Sequence, residues 1–438
     1  MPLKNLVYIA LAIVVSLSCY SISVKNRFAS LFSEALNIIE KESLVQVPER
    51  ELFNAAMDGM LSKLDPNSSY ISQDQYKAFD EDLNQEFVGV GMEVEKDEER
   101  DCIRVVRPIP GTPAYKSGLL VGDRIVQIDG KSTEGLSNQQ AIELIRGPKG
   151  ESVLFLVSRD GQSDDLEISV TRDDIPVPSI YGDTRNADGS WNFRVSEDSR
   201  IGYIRLLQFG KRSTDELRVA VQGLNGTVSA FILDLRSNPG GLLNAAVDIS
   251  DMFIGREVLI VQTKRRGGHV VSRRYATSET ELDVKIPMVV IVNELSASAS
   301  EIVSACLQDH GRATIVGKQT WGKGTVQDLI TLERDRSLLR LTTASYWRPS
   351  GKNIDRTVRP PEDEDQYGVR PDEGFEVSLT DEELVDIARA RAMRDQRVQN
   401  DGDESEDQPE SWLDVDLPLK RAVRHLQSQL ESRAAAKP

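Results

Sequence analysis

The stretch Ala230-Phe231-Ile232-Leu233-Asp234-Leu235-Arg236-Ser237-Asn238-Pro239-Gly240-Gly241-Leu242-Leu243 decides the fold. Ala230 to Leu235 is an almost uninterrupted apolar run with the length of a buried strand, Pro239-Gly240-Gly241 is a turn, and Leu242 to Phe253 reads as a helix. The same order surrounds it. Upstream, Ile201 to Leu207 reads as a strand and Thr214 to Leu224 as a helix. Downstream come a strand at Met288 to Val292, a helix at Ser298 to Asp309 ending at Gly311, and a strand at Ala313 to Val316. This alternation predicts an α/β layered core, occupying residues 174–360.

The rest of the chain is organised around that core as an α+β multidomain protein. Residues 25–85 are helical in pattern, with Leu31, Phe32, Ala35, Leu36, Ile38 and Ile39 on one apolar face and Leu52, Ala55, Ala56, Met60 and Leu61 on another, closed by Asp65-Pro66-Asn67. Residues 86–173 change to short strands: Phe87 to Met92, Cys102 to Val106, Asp123 to Ile128 and Ser152 to Val157. They hold one helix, Asn138 to Ile145, capped by Ser137 with Gln140 three positions on. Residues 361–438 form an acidic, helical C-terminal region. There Thr380 and Glu383 make a capping box, Leu379 and Leu384 a hydrophobic staple, and a helix follows from Asp381 to about Arg397. Asn400 to Glu410 reads as an acidic linker, and a last amphipathic helix spans Pro418 to Leu430.

Composition excludes several classes. The 438 residues carry 53 basic and 70 acidic side chains, a net charge of −17, and no basic tract suited to a phosphate backbone, so nucleic acid is not a partner. A hydrophobic content of 39% can fill several cores, which excludes global disorder and, without repeated apolar spans, a polytopic membrane protein. Between Pro361 and Glu410 there are 18 acidic and 5 basic residues, read as an acidic surface. Cys19, Cys102 and Cys306 are far apart and show neither metal spacing nor a disulfide framework. Leu6 to Val24 is apolar, preceded by Lys4 and free of charge, long enough at about 1.5 Å per residue to span a bilayer core. Residues 1–24 are therefore expected to be a signal anchor, with a cleaved signal peptide as the other reading, and the protein to be exported.

Three further motifs carry chemistry. Asn293-Glu294-Leu295-Ser296-Ala297-Ser298-Ala299-Ser300-Glu301-Ile302 sets small hydroxyl residues between a buried strand and a helix, with Ser298 and Glu301 spaced as a capping box. Lys323 follows Ser298 by twenty-five residues, inside Thr320-Trp321-Gly322-Lys323-Gly324-Thr325-Val326-Gln327. An enclosed lysine loses its proton more readily than a solvated one and can then act as a general base for a serine hydroxyl, with Gln327 able to orient the amine. The Pro239-Gly240-Gly241 turn at a helix start aims backbone N–H groups at one point, which suits an oxyanion completed by the N–H of Ala299.

In this order and spacing the motifs resemble the carboxyl-terminal processing peptidases, a family of Ser/Lys serine endoproteases. The resemblance rests on Ser296-Ala297-Ser298-Ala299-Ser300-Glu301 together with Gly322-Lys323-Gly324-Thr325-Val326-Gln327, and it covers nearly the whole chain. It implies Ser298 as nucleophile, Lys323 as general base and Gln327 as the residue that positions the lysine. It further implies oxyanion donors on Gly241, Gly240 and Ala299, and a core related to the crotonase and Clp protease folds. The β-rich region is similar to the family's PDZ module. Val88-Gly89-Val90-Gly91, with Met92, would then capture a substrate C-terminus, and the peptide would add as a strand along Gly91 to Val94 against Asn138 to Ile145. The partners implied are protein substrates bound by their tails, a second copy in a homodimer, and an adaptor or activating peptide. An inner-membrane anchor agrees with the N-terminal run, and the chemistry needs no cofactor or metal.

Trp321 stands where the family more often has Tyr or Phe, and its bulk is expected to keep water from Lys323. Val261 to Thr277, rich in arginine and glycine, reads as a mobile loop near the site. A Ser-His-Asp hydrolase is disfavoured, because His310 lies about 18 Å from Ser298 along its helix and suits the helix C-terminus. No serine has a lysine three positions on, and no Gly-x-Ser-x-Gly elbow surrounds Ser298. The competing function is a membrane-anchored PDZ scaffold that binds C-termini without cutting them; it shares the Gly89 to Gly91 loop but has no use for Ser298 and Lys323.

Overall fold

A computed structural model describes residues 27–76, 86–109, 111–334, 336–357, 367–396 and 411–435, with a few isolated positions besides. Leu6 to Val24 lies almost wholly outside the described residues, as does Asn400 to Glu410. Among the described residues no helix is long and apolar enough to cross a membrane. The chain forms two compact units, residues 1–76 with 327–342, and residues 77–326 with 343–438.

In the first unit, the helical stretch is two helices, α1 (Arg27–Glu42) and α2 (Glu49–Leu61). Pro48 marks the second start: it lacks an N–H, and its fixed φ of −53° suits a helix entrance. Asp65 ends the run by accepting the N–H groups of Asn67 and Ser68 and the hydroxyls of Ser68 and Thr342. Strand β1 (Ser69–Ile71) then pairs antiparallel with residues 338–340, and Phe53 of α2 meets Tyr70 edge-on at 5.7 Å. The apolar face of α1 is uncovered within the described chain: Leu31, Phe32, Ile38 and Ile39 are all exposed.

The second unit begins with a small antiparallel β domain. Its strands are β2 (Glu86–Gly89), β3 (Met92–Asp97), β4 (Cys102–Pro108), β5 (Arg124–Ile128), β6 (Ser152–Ser158), β7 (Leu166–Thr171) and β8 (Asp173–Pro176). The order is β3-β4-β5-β6-β7, and β2 pairs with β8. Alternation explains the core: Val105, Val153, Phe155 and Val157 are fully buried while the residues on either side of each are partly or fully exposed. A helix at Asn138–Ile145 covers it, and the expected cap is present: Ser137 Oγ accepts the Gln140 N–H and Gln140 Oε1 accepts the Ser137 N–H. The single strand expected over Phe87 to Met92 is broken, because Gly91 has φ +78° and a Cβ there would lie 2.3 Å from Thr112.

The larger core follows as β9 (Asp198–Leu206), β10 (Ala230–Asp234), β11 (Leu259–Lys264), β12 (Val270–Tyr275), β13 (Met288–Val292) and β14 (Thr314–Gly317). Strands β9, β10, β13 and β14 lie side by side and parallel, with Ile201 opposite Ala230, Phe231 opposite Met288 and Val289 opposite Thr314. Helices at Ser213–Leu224, Leu243–Asp251 and Ala299–Asp309 pack on one face against Ile204, Phe231, Leu233, Val290, Val292 and Ile315. The alternate residues Ile201, Tyr203, Ala230, Ile232, Val289, Ile291 and Val316 face the C-terminal helix Leu417–Ala435, through its Leu419, Ala422, Val423 and Leu426. Two covered faces explain why Ala230 to Asp234 is a continuous buried run rather than an alternating one.

The segment Val261 to Thr277 is not a loop. It is the hairpin β11–β12, turned at Gly267 and Gly268, both at positive φ, and β11 also pairs with residues 345–347. Its β-branched Val261, Thr263, Val270 and Val271 favour extended backbone more strongly than the intervening arginines oppose it. The acidic C-terminal region also departs from a purely solvated surface. The helix Asp381–Gln396 has the expected capping box between Thr380 and Glu383, yet its Arg394 is buried against Asp183 and its Arg391 pairs with Asp234.

Because Leu426 is fully buried on the sheet, Leu426→Ala should cost about 2–5 kcal/mol in urea denaturation. Val385→Ala, at an exposed position of Asp381–Gln396, should change stability by less than about 0.5 kcal/mol.

Candidate active site

Three loops leaving the carboxyl ends of the parallel strands converge: Leu235 to Leu242 after β10, Asn293 to Ser298 after β13, and Lys318 to Gly324 after β14. The first two are sewn together by Asn238. Its amide donates to the Leu206 carbonyl at 2.7 Å, and its carbonyl accepts the Ala297 N–H at 3.0 Å and the Ser300 hydroxyl at 2.9 Å. Ser296 and Ser300 are completely buried, with their hydroxyls on the carbonyls of Leu235 and Asn238. Ser298, 7% exposed, alone of the three reaches the surface. It has φ 56° and ψ −112°, a conformation that costs an L residue about 1–3 kcal/mol and persists only where its surroundings impose it.

Glu301 is what imposes it. Fully buried, its carboxylate receives the Thr320 hydroxyl and the Gly322 N–H on Oε1, both at 2.6 Å, and the N–H groups of Ser298 and Lys323 on Oε2, at 2.8 and 2.9 Å. One oxygen therefore holds the backbones of both Ser298 and Lys323. Burial pushes this carboxyl up to about 7, against the four donors, which favour its charged form. The sequence signals Glu301 only as a capping-box partner, and that role is real; the return of residues 320–323 onto the same carboxylate has no local signature. Thr320 Oγ1 in turn accepts the Val369 N–H, and the Trp321 N–H reaches the Ser296 carbonyl at 3.0 Å.

The glycines flanking the lysine have separate reasons. Gly322 lies at φ +84° against Tyr367, and a Cβ on Gly324 would stand 2.2 Å from the Asp355 nitrogen. Lys323 itself is half-buried. Trp321 is 41% exposed, and the face of its ring carries the Arg356 guanidinium at 4.0 Å, a cation–π contact.

The oxyanion candidates separate. Gly240 (φ +100°) is pressed against the Ser298 loop, where a Cβ would lie 2.7 Å from Ser298 Cβ and 2.9 Å from the Ala299 nitrogen. Its N–H donates to Asn238 Oδ1 at 2.9 Å, which removes it from the donors the resemblance implied. Gly241 forms a parallel bridge with Phe209 through the Gly240 carbonyl and the Leu242 N–H. That pairing turns the Gly241 N–H to the other side of the strand. Ala299 opens its helix, so its N–H has no intrahelical acceptor.

Gln327 and the residues of the small β domain complete the predicted set. Gln327 belongs to the first unit, where its amide donates to Thr342 Oγ1 at 3.2 Å. In the small sheet, Val88 and Gly89 pair with Asp174 and Asp173, Val90 is buried with its carbonyl on the Ala114 N–H, and the Gly91 carbonyl accepts the Ile109 N–H and the Thr112 hydroxyl. Met92 begins β3, whose outer edge pairs with no strand among the described residues and which lies beside the helix Asn138–Ile145. An open edge beside a helix is the form to which an extended peptide adds. His310 caps its helix and contacts the Leu259 carbonyl at 2.7 Å, consistent with a structural histidine.

Comparison with known proteins agrees with this layout. Residues 200–373 match the model of peptidase family S41, and residues 104–159 match a PDZ domain. A carboxy-terminal-processing protease of Bartonella bacilliformis is 35% identical over 375 residues, covering 82% of this chain and 79% of the relative. The carboxy-terminal processing protease CtpA of Bacillus subtilis is 35% identical over 325 residues, covering 74% of this chain and 66% of the relative. Among solved structures, a photosystem II D1 C-terminal processing protease aligns at 26% identity and a TM-score of 0.43, covering 79% of this chain and 86% of that one. The chain is thus a serine-type peptidase that carries a PDZ domain. It belongs to the carboxy-terminal-processing proteases of family S41.

Glu301→Gln keeps the shape but turns an NH₂ toward two donors, so kcat should fall on the order of tenfold or more in a peptidase assay. The carboxyl sits above its ordinary 4.5, so the folded chain holds the extra proton and loses stability as pH rises through about 7. Urea denaturation between about pH 5 and about pH 8 should show that slope in the parent and its loss in Glu301→Gln. Gly240→Ala should abolish turnover while leaving binding of a C-terminal peptide to the PDZ domain intact, as read by titration calorimetry.

Proposed function

We propose that the protein cleaves exported proteins near their C-termini, with Ser298 as nucleophile and Lys323 as general base. The observation that carries this reading is the Glu301 oxygen shared by the Ser298 and Lys323 N–H groups. It ties a strained serine to a half-buried lysine, a pairing useful for proton transfer and without purpose in a scaffold. A substrate tail adds to the open edge of β3, its terminal carboxylate at Val88 to Met92, and the chain leads to the core. The neutral Lys323 amine takes the Ser298 proton as Oγ attacks a peptide carbonyl. The developing oxyanion is held by the N–H groups of Gly241 and Ala299. Lys323 then protonates the departing amine, and water releases the acyl group by the same route in reverse. Gln327 keeps the supporting role that the family resemblance gives it.

Two further features belong to the same proposal. The apolar run Leu6 to Val24 anchors the enzyme at the inner membrane and places its catalytic part in the periplasm or its equivalent. The uncovered face of α1 supports assembly as a homodimer.

The decisive experiment incubates the purified protein with an unstructured substrate ending in an apolar tail and follows it by mass spectrometry. Cleavage by the parent, and by neither Ser298→Ala nor Lys323→Ala, is expected. Tail binding without cleavage, and without labelling of Ser298 by a serine-reactive phosphonate, would favour the scaffold. Light scattering should give a dimer; a monomer with α1 and α2 present would remove that part.

A further inference from the structure

The oxyanion turn is tied at its start to the far end of the chain. Arg236 directly precedes Ser237-Asn238-Pro239-Gly240-Gly241, and its side chain is 6% exposed. It is gripped from both sides: Asp234 accepts its Nε at 3.0 Å and a terminal nitrogen at 2.6 Å, while Asp416 accepts its two terminal nitrogens at 2.7 and 3.0 Å. Arg391 closes the ring, donating to Asp234 and to Asp416, each at 2.9 Å. Two carboxylates and two guanidiniums thus balance in charge, and the Tyr203 hydroxyl adds a bond to Asp234 at 2.8 Å. Asp416 has a second task, since its Oδ1 also caps the helix Leu417–Ala435 by accepting the Leu419 N–H at 3.1 Å.

Downstream of Arg236, the turn holds a non-glycine residue at positive φ, Ser237 at 58°, before reaching Gly240 and Gly241. Such a backbone keeps its shape only if its ends are fixed. Asn238 anchors its middle to the nucleophile loop, and Arg236 anchors its start. Breaking one partner of a buried ion cluster leaves an uncompensated charge next to this backbone. An ångström-scale shift of an oxyanion donor is enough to slow acyl transfer strongly.

We propose that Asp416 and Arg391 are positioning residues for hydrolysis: through Arg236, the C-terminal helices hold the oxyanion turn in its working shape without touching substrate or reacting atoms. The inference rests on the proposed Ser298 site. It gives the C-terminal region a catalytic consequence beyond covering the sheet.

The test uses the full chain and the variants Asp416→Asn, Arg391→Gln and Leu426→Ala. Asparagine is as good a helix cap as aspartate, so Asp416→Asn removes the charge while keeping the cap. Leu426→Ala weakens the same helix without touching the cluster. Active-site titration with a serine-reactive phosphonate gives the fraction of competent enzyme, and steady-state kinetics on a tailed peptide give kcat and KM. Asp416→Asn and Arg391→Gln are expected to lower kcat per titrated site about 10-fold or more with KM within about twofold, while Leu426→Ala keeps kcat per site near that of the parent. Unchanged kcat per site in both charge variants, or a loss matched by fewer titratable sites or equally large in Leu426→Ala, would overturn the inference and leave the Ser298 assignment standing. A parent that neither cleaves nor labels at Ser298 would instead remove the proposed site itself, and this inference with it.

Discussion

The carboxylate of Glu301 is the constraint on which the site depends. Four donors from three places in the chain meet on its two oxygens: its own helix start at Ser298, the Thr320 hydroxyl, and the Gly322 and Lys323 backbone. A buried charge of this kind is tolerated only when its lone pairs are occupied, and here two of the four donors that occupy them belong to the proposed nucleophile and base. A hydrophobic residue would leave four donors unpaired, and an amide would satisfy only half of them. The same bonds hold Ser298 in a backbone conformation that a serine would not adopt by itself.

Around that centre the parallel sheet acts as a rigid platform. Its strands are buried on both faces, by three helices on one side and the C-terminal helix on the other, so the loops at their carboxyl ends start from fixed points. Ser298 and Lys323 ride on two such loops and Gly241 on a third. The C-terminal region, acidic in composition, meets the core through arginines as well as acids: Asp416 holds Arg236, and Asp372 accepts the Ile315 N–H. Arg391 and Arg394 face inward because Asp234 and Asp183 are buried there and require counter-charges.

Several local readings yielded to tertiary context. Gly240 is required as a glycine by the closeness of Ser298, yet its N–H is taken by Asn238 and is no oxyanion donor. Trp321 carries on its ring the guanidinium of Arg356, which comes from thirty-five residues further along and which no local pattern announces. The arginine-rich Val261 to Thr277 is a hairpin because its β-branched residues find a partner strand.

By itself the sequence determined the α/β core, the small β domain with its capped helix, the glycine-flanked lysine and the serine at a helix start. These are written in short-range terms: apolar runs and their periods, capping spacings, and turns that only glycine or proline permits. Tertiary structure alone decided that Glu301 joins the Ser298 and Lys323 segments, that the Gly240 N–H is taken by Asn238, and that Arg236 is held by Asp416, 180 positions further along. The reason is physical. A buried polar group must find partners wherever the fold brings them, and nothing in a residue's neighbours along the chain says which distant donor or acceptor will arrive.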